Sequence, residues 1–225
     1  MKKQRSSAIL AGALLILAIV VGVLLVVLSE PLLEPENRFA RIMAKENLFL
    51  LCALLQFIMA GACAGIALVL YPIIRKSHPI LAIGSVGFRL MEAILFTVGT
   101  AALLMVLTLG RMGAGDEALI GILAELALAF RGWLSSVLGA VAFCLGAMMY
   151  YAAFFLSQHL PRWLSAWGFI AAALHLLSAL LVMFGMEPFS APTLILNLPI
   201  FLNELVLASW LIIKGFNPAS ADQTT

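Results

Sequence analysis

GSVGFRLMEAILFTVGT, Gly84 to Thr100, places Arg89 and Glu92 inside an otherwise apolar run. The run continues from Ile80 to Leu109, long enough for a bilayer crossing, which takes about 20 apolar residues. At 1.5 Å per residue, Arg89 falls about 15 Å from the start of the run, near a bilayer midplane. Glu92 follows at i+3, on the same helix face. A lone charge at that depth costs on the order of 3 kcal/mol, so a partner or a cavity must compensate it. The rest of the chain is therefore read for what faces this pair.

Composition sets the class. The chain has 225 residues, 64% hydrophobic and 11% charged, with a mean hydropathy of +1.13. Soluble domains carry roughly a quarter charged residues, so this is an integral membrane composition whose first partner is the lipid bilayer. A net charge of +2 without a basic, aromatic-interleaved stripe argues against nucleic acid. Cys52, Cys63 and Cys144 all lie in apolar runs, without disulfide or metal spacing. No phosphate loop, zinc motif or nucleophile elbow is present, so no cofactor or metal is expected.

Hydropathy and turn signals predict an all-α, polytopic bundle forming a single membrane domain. Its six spans are near 8–28, 48–74, 80–109, 132–156, 162–184 and 193–213. Span 1 is too long for a signal peptide. Phe39, Ile42 and Met43 suggest a short interfacial helix before span 2 or an outer extension of that span. Gly61-x-x-x-Gly65, with Ala60, Cys63 and Ala67, predicts close packing of span 2. The apolar run 118–156 is too long for one crossing. It divides into a shallow outer helix, Glu117 to Phe130, broken at Glu125, and a span from Gly132. Asp116 is a candidate N-cap for that outer helix. Ser135, Gly139, Ala142 and Gly146 form the packing face of span 4, and the tail from Lys214 is expected to fray. Lys2, Lys3, Arg5, Arg75, Lys76, Arg162 and Lys214 lie on one side and Arg38, Arg41, Lys45 and Arg111, with most of the acids, on the other, so both termini are expected in the cytoplasm.

Several segments together resemble a bacterial membrane family known as domain of unknown function 4386. They are Tyr71-Pro72-Ile73-Ile74-Arg75-Lys76, Phe88-Arg89-Leu90-Met91-Glu92-Ala93, Pro161-Arg162-Trp163-Leu164, and Asn203-Glu204-Leu205 followed by Ser209 to Pro218. The resemblance covers nearly the whole chain. It implies six spans in a bacterial inner membrane and no particular activity. The sequence departs from the family pattern at Gln56, where an acid is common, and at Asn203, where Trp often precedes the Glu. It departs again at Arg131-Gly132-Trp133, where His-Asp-Trp is frequent.

Counted from the loops, Arg89, Glu92, Glu204, Gln56, His175 and Asn203 reach comparable depth, which makes them the candidate ligand- or proton-binding residues. Asn203 is about 100° around the helix from Glu204. Pro199 is expected to bend span 6 just before it. Arg89, Glu92 and Glu204 sum to −1 when ionised, with His175 the one further basic group at that depth. One acid is therefore expected to hold a proton, unless His175 is protonated or a cation binds. Three readings stand: a small carrier or ligand-binding protein, a structural or regulatory subunit whose charges clamp spans 3 and 6, and an intramembrane enzyme. In the first, Arg89 engages an anionic group and the acids handle a proton or cation.

Overall fold

The computed structural model describes residues 2–33, 38–112 and 117–217, so Asp116 lies outside the described residues. The chain is a multi-pass membrane protein: six of its helices are long and apolar enough to cross a membrane. In order the elements are α1 (Lys2–Leu33), α2 (Arg38–Ala44), α3 (Glu46–Ile74) and α4 (Pro79–Met112). Then come α5 (Glu117–Trp133), a π-helical turn (Leu134–Gly139), α6 (Ala140–Ser157), α7 (Arg162–Met183) and α8 (Ala191–Ile213). Of the two readings of the segment before span 2, the separate short helix is the one that forms, as α2.

Neighbours in sequence are neighbours in space. The long helices form a ring in the order α1, α3, α4, α6, α7, α8, which α1 and α8 close. Arg5 makes part of that closure. Its guanidinium donates to the carbonyls of Leu211, Ile212 and Ile213, at 3.3, 2.6 and 3.3 Å. Those carbonyls belong to the last turn of α8, where no further helical N–H follows to satisfy them. Gly215 ends that helix with φ +78°, a conformation suited to glycine. Both ends of the chain thus lie at one end of the bundle, the terminal end; the other is the distal end.

Helix lengths are unequal. The 22 residues of α7 and 23 of α8 span about 33–35 Å, close to a bilayer's hydrocarbon thickness. The 32 residues of α1 and 34 of α4 run to about 50 Å. The excess collects at the distal end. There Leu25, Leu32, Ile42, Phe49, Val106 and Ala124 belong to a second apolar core under α2 and α5. The main core, with Leu15, Ile66, Tyr150, Phe154 and Leu207, fills the terminal half. Two exposed ion pairs decorate the distal end, Arg38–Glu125 at 2.8 Å and Arg111–Glu46.

Three expectations need correction. The run from 118 is not divided by a break at Glu125 or near Phe130: α5 continues to Trp133 and passes through the π-turn into α6. Glu125 does not interrupt the helix because it points outward, half exposed, to Arg38. A π-turn changes the direction of side chains without ending the hydrogen-bonded helix, so no loop residue marks it in the sequence. Gly61 is exposed, and a Cβ there would meet nothing, whereas at Gly65 it would lie 3.1 Å from Leu14 of α1. Ala60, Cys63 and Ala67 are buried as expected. α8 continues through Pro199, which lies inside the helix without ending it. Finally, Lys214 to Asn217 do not fray: the Asn217 N–H donates to His159 O at 2.8 Å and its amide to Gln158 O at 3.1 Å.

Candidate functional site

Arg89 sits in the middle of the terminal half of α4 and is only 2% exposed. Its stem lies against α6 where Gly146 leaves room: a Cβ at 146 would come within 3.0 Å of Arg89 Cγ. Its guanidinium carbon stands 4.8 Å above the Phe143 ring, a favourable position for a desolvated cation. Its ion-pair partner is Glu92, one turn along the same helix, at 2.9 Å between Nη1 and Oε2. The angles fall short of a hydrogen bond, so Arg89 Nε and Nη1 and Glu92 Oε2 are buried without one. Glu204 stands within electrostatic reach of both but in ion-pair contact with neither.

A partly open cavity of about 360 Å³ lies between α4, the π-turn and α6, α7 and α8. Glu92 and Glu204 face it, with His175 of α7 and Asn197 of α8. His175 Nδ1 is 2.6 Å from Asn197 Oδ1. With that oxygen accepting, the ring proton sits on Nδ1 and leaves Nε2 as an acceptor. The His175 ring meets Phe143 edge-on at 5.6 Å, so Phe143 stands between His175 and Arg89. The π-turn contributes Ser135, Ser136 and Gly139 to the wall. Such turns widen a helix locally and recur at functional sites.

Of the six residues expected at one level, the structure brings Glu92, Glu204 and His175 to one cavity. Arg89 is directly behind it. Asn203 faces elsewhere, as its position around α8 implies. It accepts from Tyr151 Oη at 2.5 Å and donates to Leu164 O at 3.2 Å, tying α6, α7 and α8 together. Gln56 lies toward the distal end, donating to Phe96 O at 3.0 Å. Phe96 is seven residues beyond Arg89, about 10 Å along α4. Arg131 Nε donates to Gln56 Oε1 at 3.0 Å.

With this geometry in view, the chain matches the family described as Domain of unknown function (DUF4386) over residues 10–215. It belongs to DUF4386. No curated protein and no solved structure matches it. Several of the segments that carry the likeness to DUF4386 gather at the terminal end, where Trp163 packs edge-on against Trp210 at 6.3 Å and Arg75 lies over the Tyr71 ring at 5.8 Å. Two of the positions where the sequence departs from the DUF4386 pattern, Gln56 and Arg131, are hydrogen-bonded to each other.

Asn197, Ser178 and the π-turn serines were not among the expected site residues. Asn197 carried a readable signal, an amide in a hydrophobic span. The serines carried none, because serine is common on packing faces of membrane helices.

Proposed function

We propose that this DUF4386 protein binds a small solute in the cavity between α4, α6, α7 and α8 and carries it across the membrane in exchange for a proton. The observation that supports this is a partly open cavity of about 360 Å³ faced by two carboxylates, Glu92 and Glu204. Binding sites for small ligands begin at about 300 Å³ and are mostly apolar with a few convergent polar groups. An ionisable residue within a membrane span marks a pathway or proton relay by default. With Arg89 opposing the two acids, the cluster holds one negative charge in excess, which a proton on one acid cancels.

The other readings have less support. A clamp between spans needs partners on two helices, whereas Arg89 and Glu92 both belong to α4. Enzymatic attack by a cavity serine needs an activating base. Among the described residues no cavity serine is hydrogen-bonded to His175, whose Nδ1 meets Asn197, and Ser135 Oγ donates to Arg131 O. We also infer that the terminal end is cytoplasmic: Arg5, Arg75, Lys76, Arg162 and Lys214 lie there, and the distal Arg38 and Arg111 are paired to Glu125 and Glu46.

The test is flux. The full chain is reconstituted into vesicles loaded with a pH-sensitive dye, and a panel of small cationic, anionic and neutral solutes is added outside. At least one class should move protons against its own gradient, and Glu204→Gln should abolish the movement. Proton movement that is indifferent to every solute, or unchanged in Glu204→Gln, overturns the proposal.

A further inference from the structure

The geometry points to an organic monocation, a quaternary or protonated amine of roughly benzylammonium size, as the ligand of this cavity. The inference rests on the reading of the cavity as a ligand site and reverses the expectation of an anion at Arg89.

Charge is the first reason. Among the described residues the cavity is faced by two carboxylates and by no lysine or arginine. Arg89 is buried behind it, paired to Glu92 and covered by Phe143. An anion entering here would meet like charges before reaching any guanidinium. A single positive charge would complete the neutrality of Arg89, Glu92 and Glu204.

The second reason is an unsatisfied acceptor. Glu92 is 3% exposed and lines the cavity, and its Oε2 has the Arg89 ion pair at 2.9 Å but no hydrogen bond of good geometry. A buried acceptor left open in this way gains from any donor or cation brought to it. The third reason is the wall. Phe96, Phe143, Phe189 and Phe201 line the cavity, and phenylalanine faces attract cations while repelling anions. A volume of about 360 Å³ suits an organic ion better than a bare metal ion. Among the described residues no group of three His, Cys, Asp or Glu side chains is gathered to hold a metal.

The ligand and the proton then compete, because each cancels the same negative charge. Around Glu204 the groups that share its field are Arg89 and Glu92 from α4, Tyr150, Tyr151 and Cys144 from α6, and Cys63 from α3. His175 of α7 faces the same cavity. From α1, beside α8, the segment at this depth is apolar throughout.

Three probes of similar shape decide the matter: benzyltrimethylammonium, benzoate and benzyl alcohol. Binding of each to the purified full-length protein is measured by calorimetry between pH 5.5 and 8. The charge of benzyltrimethylammonium is independent of pH, so any pH effect belongs to the protein. Its affinity should exceed that of the other two at least tenfold at pH 8 and weaken on acidification, by up to about tenfold per pH unit where one proton competes. Ser136→Trp, which fills the cavity, should abolish binding, and Glu204→Gln should remove the pH dependence. Benzoate or benzyl alcohol binding best, with Ser136→Trp still blocking it, overturns the cation assignment and leaves the cavity as a ligand site. Binding of none of the three overturns both.

Discussion

A guanidinium at the depth of Arg89 is tolerated because three neighbours share its cost. Glu92 supplies the countercharge, Phe143 a ring face, and Gly146 the space for its stem. Removing one member of a buried pair leaves the other charge uncompensated, at a cost of about 3–5 kcal/mol. Arg89→Leu should lose that much stability in a detergent unfolding titration, since Glu92 and Glu204 would then face each other as like charges. Arg89→Leu combined with Glu92→Leu should be milder than the sum of the singles, because contacting partners couple. Arg89→Leu with Glu204→Leu should lie closer to additive, as those side chains share a field without touching. Equal coupling in the two cycles would show that Glu204 is as much a partner of Arg89 as Glu92 is.

Among the elements, α3 and the π-turn give the sharpest contrasts. Gly65 faces Leu14 closely and Gly61 faces open space. Gly65→Leu should therefore cost about 1–3 kcal/mol by overpacking α1 against α3. Gly61→Leu should stay within about 0.5 kcal/mol of the parent. Equal effects would refute this placement of α3. In the π-turn, a Cβ on Gly139 would lie 2.8 Å from the Leu134 carbonyl oxygen and 3.1 Å from Phe96 Cε1. The carbonyl is backbone and cannot swing aside, so Gly139→Ala should destabilise the turn and narrow the cavity beside it. Gly132→Ala, where a Cβ meets nothing, is the matched control and should leave melting temperature unchanged.

Across the whole molecule, the ring closes at its terminal end. Arg5 joins α1 to α8, and Asn217 joins the end of α8 to the turn between α6 and α7. His159 lies in that turn with its Nδ1 2.7 Å from Ser157 Oγ. Burial, and then the charges of His78 and Lys76, hold its pKa below the ordinary value. The folded protein thus binds fewer protons at this site than the unfolded chain. The contribution of neutral His159 is complete above about pH 6.5 and is lost as pH falls from there through the lowered folded value. Melting temperature should decline over that window, and less so in His159→Gln; an equal decline in both would assign the effect to other groups. Orientation is tested at the same end. Cysteines placed at Lys76 and His159 should resist impermeant reagents added to intact cells, and one at Glu125 should react.

The sequence by itself determined that the chain is all-helical with six long apolar runs, and it determined the buried stripe Ala60, Cys63 and Ala67. These follow from hydropathy and periodicity, which are local properties of the chain. It also placed Arg89 and Glu92 together, because i and i+3 on a helix are neighbours whatever surrounds them. Depth was legible only where helices match the bilayer in length. Gln56 was placed level with Arg89 by counting from a loop, yet α3 extends well past α7 and α8 at the distal end, and Gln56 meets Phe96 and Arg131 instead. The π-turn was silent in the sequence, since it changes the helix pitch without a Gly-Pro signal or a polar loop. Only the tertiary structure decided which polar groups share a cavity. That depends on how far each helix slides and turns against its neighbours, and this sum of many side-chain contacts brings Asn197 to His175, turns Asn203 toward Tyr151 and sets Arg89 behind the wall.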